Sequence, residues 1–363
     1  MAKQETASTL ADVAALAGVS QQTVSRVVNN KGPVAARTRL RVGEAIGQLN
    51  YVPNRLAQGL ASRRTHSIGF ATNDIALHAP SQLTSGIERA AREAGYSLVV
   101  SIVPRYGLGN VTQTVRTLKE RQVDGVLINA SLGQADAAEV RRRFADVPCV
   151  FMDVPPGTAV DAALLDQREG AVLAARHLLD LGHTHVACIH GPQDAVAEHS
   201  RLQGWRDVVE TRGLTLVAEH EGNWSPSSGY AATVALLASG VAFTALLVGN
   251  DQMAVGALRA LWERGLRVPD DVSVIGYDDT AESALLIPPL TTVRQDFPAL
   301  GQRAFEHLKL LLDGSSPPPL TLTQPELVLR SSTAAPPPGR RSGWQEALET
   351  LRVHLQAAST TSS

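Results

Sequence analysis

The sequence predicts an all-α helix-turn-helix headpiece joined to an α/β core of two doubly wound parallel-sheet lobes, with a short C-terminal helix. Three observations carry this. Residues 9–51 combine caps, a turn glycine and helical apolar spacing in one short basic stretch. From Ser67 onward, apolar runs of strand length alternate with helical periodicity over about 220 residues. A Pro/Gly/Ser-rich segment, 331–343, then precedes a leucine repeat.

The headpiece is read from its punctuation. Thr9 and Asp12 have the spacing of a reciprocal capping box, and Leu10, Val13, Ala14 and Ala17 follow at helical intervals. Gly18 ends that helix because it tolerates positive φ, and Val19 plugs the turn. Ser20 caps a second helix on which Val24, Val27 and Val28 face inward. Gln21, Gln22, Thr23, Ser25, Arg26 and Asn29 then supply the outer, base-reading side. A second helix that opens with amides and carries an arginine one turn later suits a major groove, since Gln pairs bidentately with adenine and Arg with guanine. Charge sharpens this. Met1–His66 holds nine Lys and Arg against three acids, or +6, and the whole chain is −2, so the remainder carries −8. A basic head on an acidic body is expected where only the head meets phosphate. The alternative is a generic helical hairpin with a solvated charged face.

The rest of the chain bounds the answer. At 363 residues it suits two or three domains, and 44% hydrophobic with 19% charged content is that of a soluble globular protein. MAKQETASTL has no apolar centre or cleavage site of a signal peptide, and no run reaches the length of a membrane span, so a cytoplasmic location is expected. Cys149 and Cys188 read as small core residues in a reducing compartment. Strands are expected at 68–71, 98–103, 125–128, 149–152, 186–189, 245–248 and 272–275, and helices at 86–94, 111–121, 135–145, 169–181, 202–212, 230–238 and 253–264. The series divides near Asp166 into two sets with a cleft between them. Ligands of such sheets bind beyond the carboxyl ends of the strands, where Asn129, Asp153, Asn250 and Asp278 fall. Enzyme motifs are missing: no dinucleotide or P-loop glycine pattern, no G-x-S-x-G, no H-E-x-x-H. His183, His185, Cys188 and His190 cluster without four-ligand spacing, so neither metal nor cofactor is expected.

With these motifs in hand, the chain resembles the lactose-repressor (LacI/GalR) family of transcription regulators over roughly Thr9 to Arg330. The resemblance rests on AGVSQQTVSRVVN and LNYVPNRLA in the headpiece. In the core it rests on ALHAPSQ (76–82), HGP (190–192), NDQMAVGALRA (250–260), GYDDT (276–280) and IPPLTTVRQDF (287–297). It implies a periplasmic-binding-protein-like core, operator DNA and a small galactoside-like sugar inducer as partners, no membrane, and a homodimer. A hinge helix over Pro53–Ser62 would order on DNA, with Leu60 as a minor-groove wedge and Asn54, Ala57 and Gln58 on its contact face. An ordinary interdomain linker is the alternative there. Leu10, Ser20 and Tyr51 join the expected DNA-contacting set, and the effector wall is matched by Leu77, Ala79, Pro80, Leu83, Trp224 and Phe297. Asn129, Asp153, Arg201, Asn250, Asp278 and Gln295 match its polar set. An aromatic platform with fork-shaped and carboxylate partners is the chemistry a sugar needs; the alternative is that Asp153 and Asp278 cap loops and Trp224 fills the core.

Departures are informative too. Gln21 stands where the galactoside-responsive branch carries Tyr, Leu165 replaces a cleft Phe, Ala197 a cleft Ser, and Gly59 a hinge Gln. The expected organisation is a headpiece over 1–52, hinge and linker over 53–66, core over 67–330, linker over 331–343 and oligomerisation helix over 344–357. In the last, Trp344, Leu348, Leu351 and Leu355 repeat at heptad spacing behind a Ser342/Gln345 cap, a tail expected to join dimers into a homotetramer; a frayed end is the alternative. A regulator of another sugar, or a non-regulatory sugar-binding protein, is the rival function.

Overall fold

In the computed structural model, residues 8–28, 32–51, 64–319 and 321–336 are described. They form two compact units that divide between Thr65 and His66.

The first unit is a three-helix headpiece. Helix α1 (Leu10–Ala17) starts on the expected capping box: the Thr9 N–H donates to Asp12 Oδ2 at 2.8 Å, and the Asp12 N–H to Thr9 Oγ1 at 3.3 Å. Gly18 closes it at φ +63°. Helix α2 (Gln21–Val28) starts on Ser20, whose Oγ accepts the Thr23 N–H at 3.2 Å. Helix α3 (Ala36–Gln48) completes a small core of Val13, Ala14, Ala17, Val24, Val42 and Ala45. Arg41 on α3 donates from Nη2 to the Gly18 carbonyl at 3.2 Å and also to the Ala17 carbonyl. One of the nine basic residues is thereby committed to holding the turn.

The second unit has two parallel sheets. In lobe 1, β1 (Ser67–Thr72), β2 (Ser97–Ile102), β3 (Gly125–Asn129) and β4 (Cys149–Phe151) lie in the order β2-β1-β3-β4, all parallel. Helices α4 (His78–Glu93), α5 (Leu108–Glu120) and α6 (Gln134–Arg143) connect them. In lobe 2, β5 (Val186–His190), β6 (Ala218–Glu221), β7 (Ala245–Val248), β8 (Ser273–Asp278), β9 (Thr291–Arg294) and β10 (Glu326–Val328) lie in the order β10-β9-β8-β7-β5-β6. Only β10 runs antiparallel, as an edge strand. Helices α7 (Gln167–Asp180), α8 (Val196–Thr211), α9 (Pro226–Ala238) and α10 (Asp251–Glu263) cover this sheet.

Three features differ from expectation, each for a tertiary reason. First, the lobes are not two consecutive halves. The chain leaves lobe 1 near Asp166, as expected, but α11 (Phe297–Leu312) returns to it. There Phe297, Leu300, Ala304, Phe305 and Leu308 pack with Ile68, Leu83 and Ile87. The chain re-crosses beside its first passage, where Asp166 N–H donates to the Thr323 carbonyl at 2.9 Å. Second, β6, β9 and β10 are short, and β6 reads AEHE, so they lack the apolar run that marks a buried strand. Third, the expected linker begins later than its composition implies. Ser332 is fully buried, its Oγ donates to the Val274 carbonyl at 2.6 Å, and the Ala334 N–H donates to Ser273 Oγ at 3.0 Å. Residues 331–334 belong to the core, while the heptad segment 344–357 lies outside the described residues.

Gly276 shows how tightly lobe 2 closes. A Cβ there would sit 2.1 Å from Asp251 Oδ1. Asp251 is buried and accepts from the Thr280 N–H (2.9 Å), Ser283 Oγ (2.6 Å) and Thr292 Oγ1 (2.6 Å), tying the start of α10 to the loop after β8 and to β9. Among the described residues no helix is long and apolar enough to cross a membrane, and no group of three His, Cys, Asp or Glu side chains could hold a metal. His183, from the histidine cluster, is instead spent on Thr244 Oγ1 (2.9 Å), Ser273 Oγ (3.1 Å) and the Ala334 carbonyl (2.9 Å).

Candidate functional site

The headpiece presents one polar face. Ser20, Gln21, Gln22 and Arg26 are exposed and Thr23 and Ser25 half-buried, so positions 21, 22, 25 and 26 share a side of α2 while Val24 faces the core. Leu10 and Tyr51 are half-buried against the headpiece core, so packing engages part of each. Asn29, Asn54, Ala57, Gln58 and Leu60 lie outside the described residues.

In the second unit a cleft opens between the lobes, with about 740 Å³ of space that includes the part open to solvent. Eleven of the twelve expected effector residues line it: Leu77, Ala79, Pro80, Leu83, Asn129, Asp153, Arg201, Trp224, Asn250, Asp278 and Phe297. The twelfth, Gln295, sits behind the wall. Its Nε2 donates to Asp278 Oδ1 at 2.8 Å, so it orients a cleft residue rather than facing the cleft.

The polar floor is built from helix starts and strand ends. Arg201, on the second turn of α8 and 5% exposed, donates from Nε to Gln167 Oε1 at 2.9 Å and from Nη1 to the Gly249 carbonyl. Its Nη2 lies 3.8 Å from Asp278 Oδ1, and its guanidinium stacks 4.0 Å from the Tyr277 ring centroid and 5.5 Å from that of Trp224. Asp278 ends β8 at φ +112°. Burial pushes its pKa up to about 6 against the pull of Arg201, so desolvation outweighs the ion pair. Asp153, beyond β4, is also raised by burial, which outweighs the bond it accepts from Ser131 Oγ and the pull of Arg201. Glu198, one turn before Arg201 and 1% exposed, is raised for the same reason.

Trp224 supplies the platform. It sits at φ +72° on the loop after β6, and a Cβ on Gly191 would meet its ring at 2.2 Å, so glycine is what lets the indole lie flat there. Asn250 caps α10 by accepting the Met253 N–H at 2.8 Å and donates from Nδ2 to the Trp224 carbonyl at 3.1 Å. Asn250 thus ties the platform's backbone to the start of α10. The first turns of α4 and the start of α11 form the apolar wall facing it. Asn129 closes the floor by donating from Nδ2 to Thr72 Oγ1 at 3.1 Å.

Sequence reasoning missed several lining residues: Asn73, His78, Tyr106, Met152, Gln167, Ala195, Gln252 and Leu300. Gln252 follows the Asn250 cap, and Gln167 opens α7 beside Asp166, so their positions were available. Tyr106 lies beyond β2, the lobe 1 strand whose carboxyl end was given no candidate. Hydrogen bonds link the lobes across the cleft: His78 N–H donates to Gln252 Oε1 at 3.2 Å, and Val196 N–H to Ser131 Oγ at 3.2 Å.

A headpiece with an exposed reading helix and a bilobed core enclosing a polar and aromatic cleft define a ligand-responsive DNA-binding protein. Comparison with known proteins agrees. Residues 9–54 match the model of bacterial regulatory proteins of the lacI family, and residues 175–333 that of the periplasmic binding protein-like domain. The lactose operon repressor of Escherichia coli (strain K12) is 44% identical over 328 residues, 90% of this chain and 91% of that protein. The ribose operon repressor of the same strain is 37% identical over 83% of this chain and 92% of its own length. A crystal structure of the lac repressor dimer bound to operator and the anti-inducer ONPF superposes with a TM-score of 0.86, covering 91% of this chain and all of that one at 44% identity. The chain belongs to the lacI family and is a DNA-binding transcriptional repressor.

The raised Asp278 gives a pH test. An unfolded aspartate titrates near 3.8 and the folded one near 6, so between those values the folded state binds more protons and loses stability as pH rises. Asp278→Asn removes that loss. The Tm of the variant relative to the unaltered, ligand-free protein should therefore climb between pH 4 and pH 7, measured by calorimetry. A Tm difference independent of pH would show that Asp278 is not held protonated by burial.

Proposed function

We propose that this repressor holds its operator through the headpiece and the 53–66 segment, and releases it when a galactoside-type sugar occupies the cleft. The observation that carries the reading is the Arg201–Trp224 pairing: a forked donor beside an aromatic face, with Asp153, Asp278 and Asn129 around them. A pyranose offers an apolar C–H face to the indole and adjacent hydroxyls to guanidinium and carboxylates. The likeness to the lactose operon repressor supports the same ligand class.

The ligand acts by differential affinity. It binds more tightly to the lobe arrangement in which the 53–66 segments do not order on DNA, and that difference sets how far the population shifts. The core forms the homodimer, and residues 344–357 join two dimers, since a helix of about 15 residues is marginal alone and needs partners to bury its leucines. The second reading, a regulator of a different sugar, is favoured by Leu165 and Ala197, which line the cleft where the galactoside-responsive pattern carries Phe and Ser.

The test selects operator DNA from a random pool with the purified full chain, then follows its release by fluorescence anisotropy. Methyl β-galactoside should release it, and ribose and methyl β-glucoside should not. Release by one of the latter alone moves the chain to the second reading, and release by none removes the sugar reading.

The headpiece side is tested separately. Arg26→Ala should weaken binding to the selected operator by about 1–3 kcal/mol, leaving random DNA and sugar affinity unchanged. Equal losses on both DNAs would make Arg26 a phosphate contact only.

A further inference from the structure

A second cavity backs onto the first. It holds about 380 Å³ of space, part of it open to solvent, against about 740 Å³ in the effector cleft. Five residues line both: Met152, Asp153, Leu165, Gln167 and Ala197. They form a shared partition, drawn from the loop after β4, the first passage between the lobes and the starts of α7 and α8. Leu165 and Ala197 on that partition are both smaller than the Phe and Ser of the galactoside-responsive pattern, and Ala197 contributes a single methyl. Gln167 is held from the first cavity, its Oε1 accepting from Arg201 Nε at 2.9 Å. Among the described residues its Nε2 hydrogens are not spent on the protein, so they remain donors on the partition.

Beyond the partition the second cavity offers two kinds of surface. Val154, Leu164 and Val196 give an apolar side, and Asp166, Arg168 and Ser200 a polar one. Asp166 Oδ1 accepts the Glu169 N–H at 3.0 Å, which leaves Oδ2 as an acceptor. Arg168 is exposed and pairs with Asp207 through Nη2, which leaves its other donors. Among the described residues no aromatic ring lines this cavity. A planar aglycone would find nothing to stack on and would leave the polar side without partners. A second pyranose, with a C–H face and several hydroxyls, meets both surfaces.

We propose that the second cavity is a second glycosyl subsite, and that the effector is a disaccharide whose two rings lie on either side of the partition, linked across it at Leu165 and Ala197. The inference rests on the sugar reading above and deepens it. One ring occupies the Arg201–Trp224 site, and the other lies between the Leu164–Val196 side and the Asp166–Arg168 side. The partition fixes the path of the linkage, so disaccharides that differ only in linkage are bound unequally.

The experiment measures methyl β-galactoside and the β-1,3-, β-1,4- and β-1,6-linked galactobioses by calorimetry on the full chain, on Ser200→Phe and on Arg168→Ala. Ser200 lines the second cavity and not the first, and its Oγ bonds within its own helix to the Val196 carbonyl at 3.2 Å, so replacing it breaks no hydrogen bond between elements. In the unaltered chain at least one galactobiose should bind about tenfold more tightly than methyl β-galactoside, the scale of one or two added hydrogen bonds. Ser200→Phe should fill the cavity and remove that gain, and Arg168→Ala should reduce it about two- to fivefold. Neither should change methyl β-galactoside affinity. Galactobioses that all bind no more tightly than methyl β-galactoside overturn the proposal. So does a gain that survives Ser200→Phe, or an equal loss of both kinds of ligand. If circular dichroism shows that Ser200→Phe does not fold, Arg168→Ala decides alone. If the unaltered chain binds methyl β-glucoside but no galactoside, the galactoside reading fails alone, and the same comparison with the glucobioses decides the second subsite. Binding of neither methyl glycoside nor any of these disaccharides overturns both.

Discussion

Among the described residues Arg201 is the one guanidinium lining the cleft, and buried carboxylates stand around it. Asp153, Glu198 and Asp278 all stand within its electrostatic reach, and burial raises all three. One cation does not offset the desolvation of three carboxylates in a low-dielectric pocket, so burial holds all three above the usual carboxylate range. The cost of burying the cation is offset by bonds to Gln167 and Gly249 and by stacking on Tyr277. Those bonds fix the plane of the guanidinium and aim its remaining donors. A ligand hydroxyl that meets this floor finds geometry already set, which lowers the entropic cost of binding.

The lobes that close on this floor are joined by three chain crossings and by bonds that a ligand can supplement. Lobe 1 also anchors the start of the core chain: His66 N–H donates to Asp124 Oδ2 at 2.9 Å, and the His66 carbonyl accepts the Ser97 N–H at 2.8 Å. A displacement of lobe 1 is therefore carried to the residue where the 53–66 segment ends.

Much of this was legible in the residues. The capping box at Thr9 and Asp12, the αL glycine at 18 and the seven expected strands report local rules, and local rules survive folding. The polar strand ends were legible because doubly wound sheets put ligands there. What escaped was set by long-range contacts. Helix α11 carries its own cap at Asp296 and good apolar spacing, yet that Phe297 belongs to lobe 1 is decided by packing against α4. Ser332 looks like linker until its hydroxyl is seen bridging Val274 and Thr291. Gln295 shares the polar character of the cleft residues, and only the fold places it one layer behind. Tyr106 follows a proline and an arginine in a loop with no periodicity, so nothing local marked it.

The central claim is that the fork of Arg201, and not merely its charge, makes the cleft a binding site. Arg201→Lys keeps the charge and loses the paired donors. Calorimetry with methyl β-galactoside, beside operator titration of the same preparation, measures this directly. The account predicts a loss of sugar affinity of about 30-fold or more, on the scale of a broken buried charged hydrogen bond, with operator affinity essentially unchanged. A lysine variant that binds the sugar as tightly as the unaltered protein would contradict it.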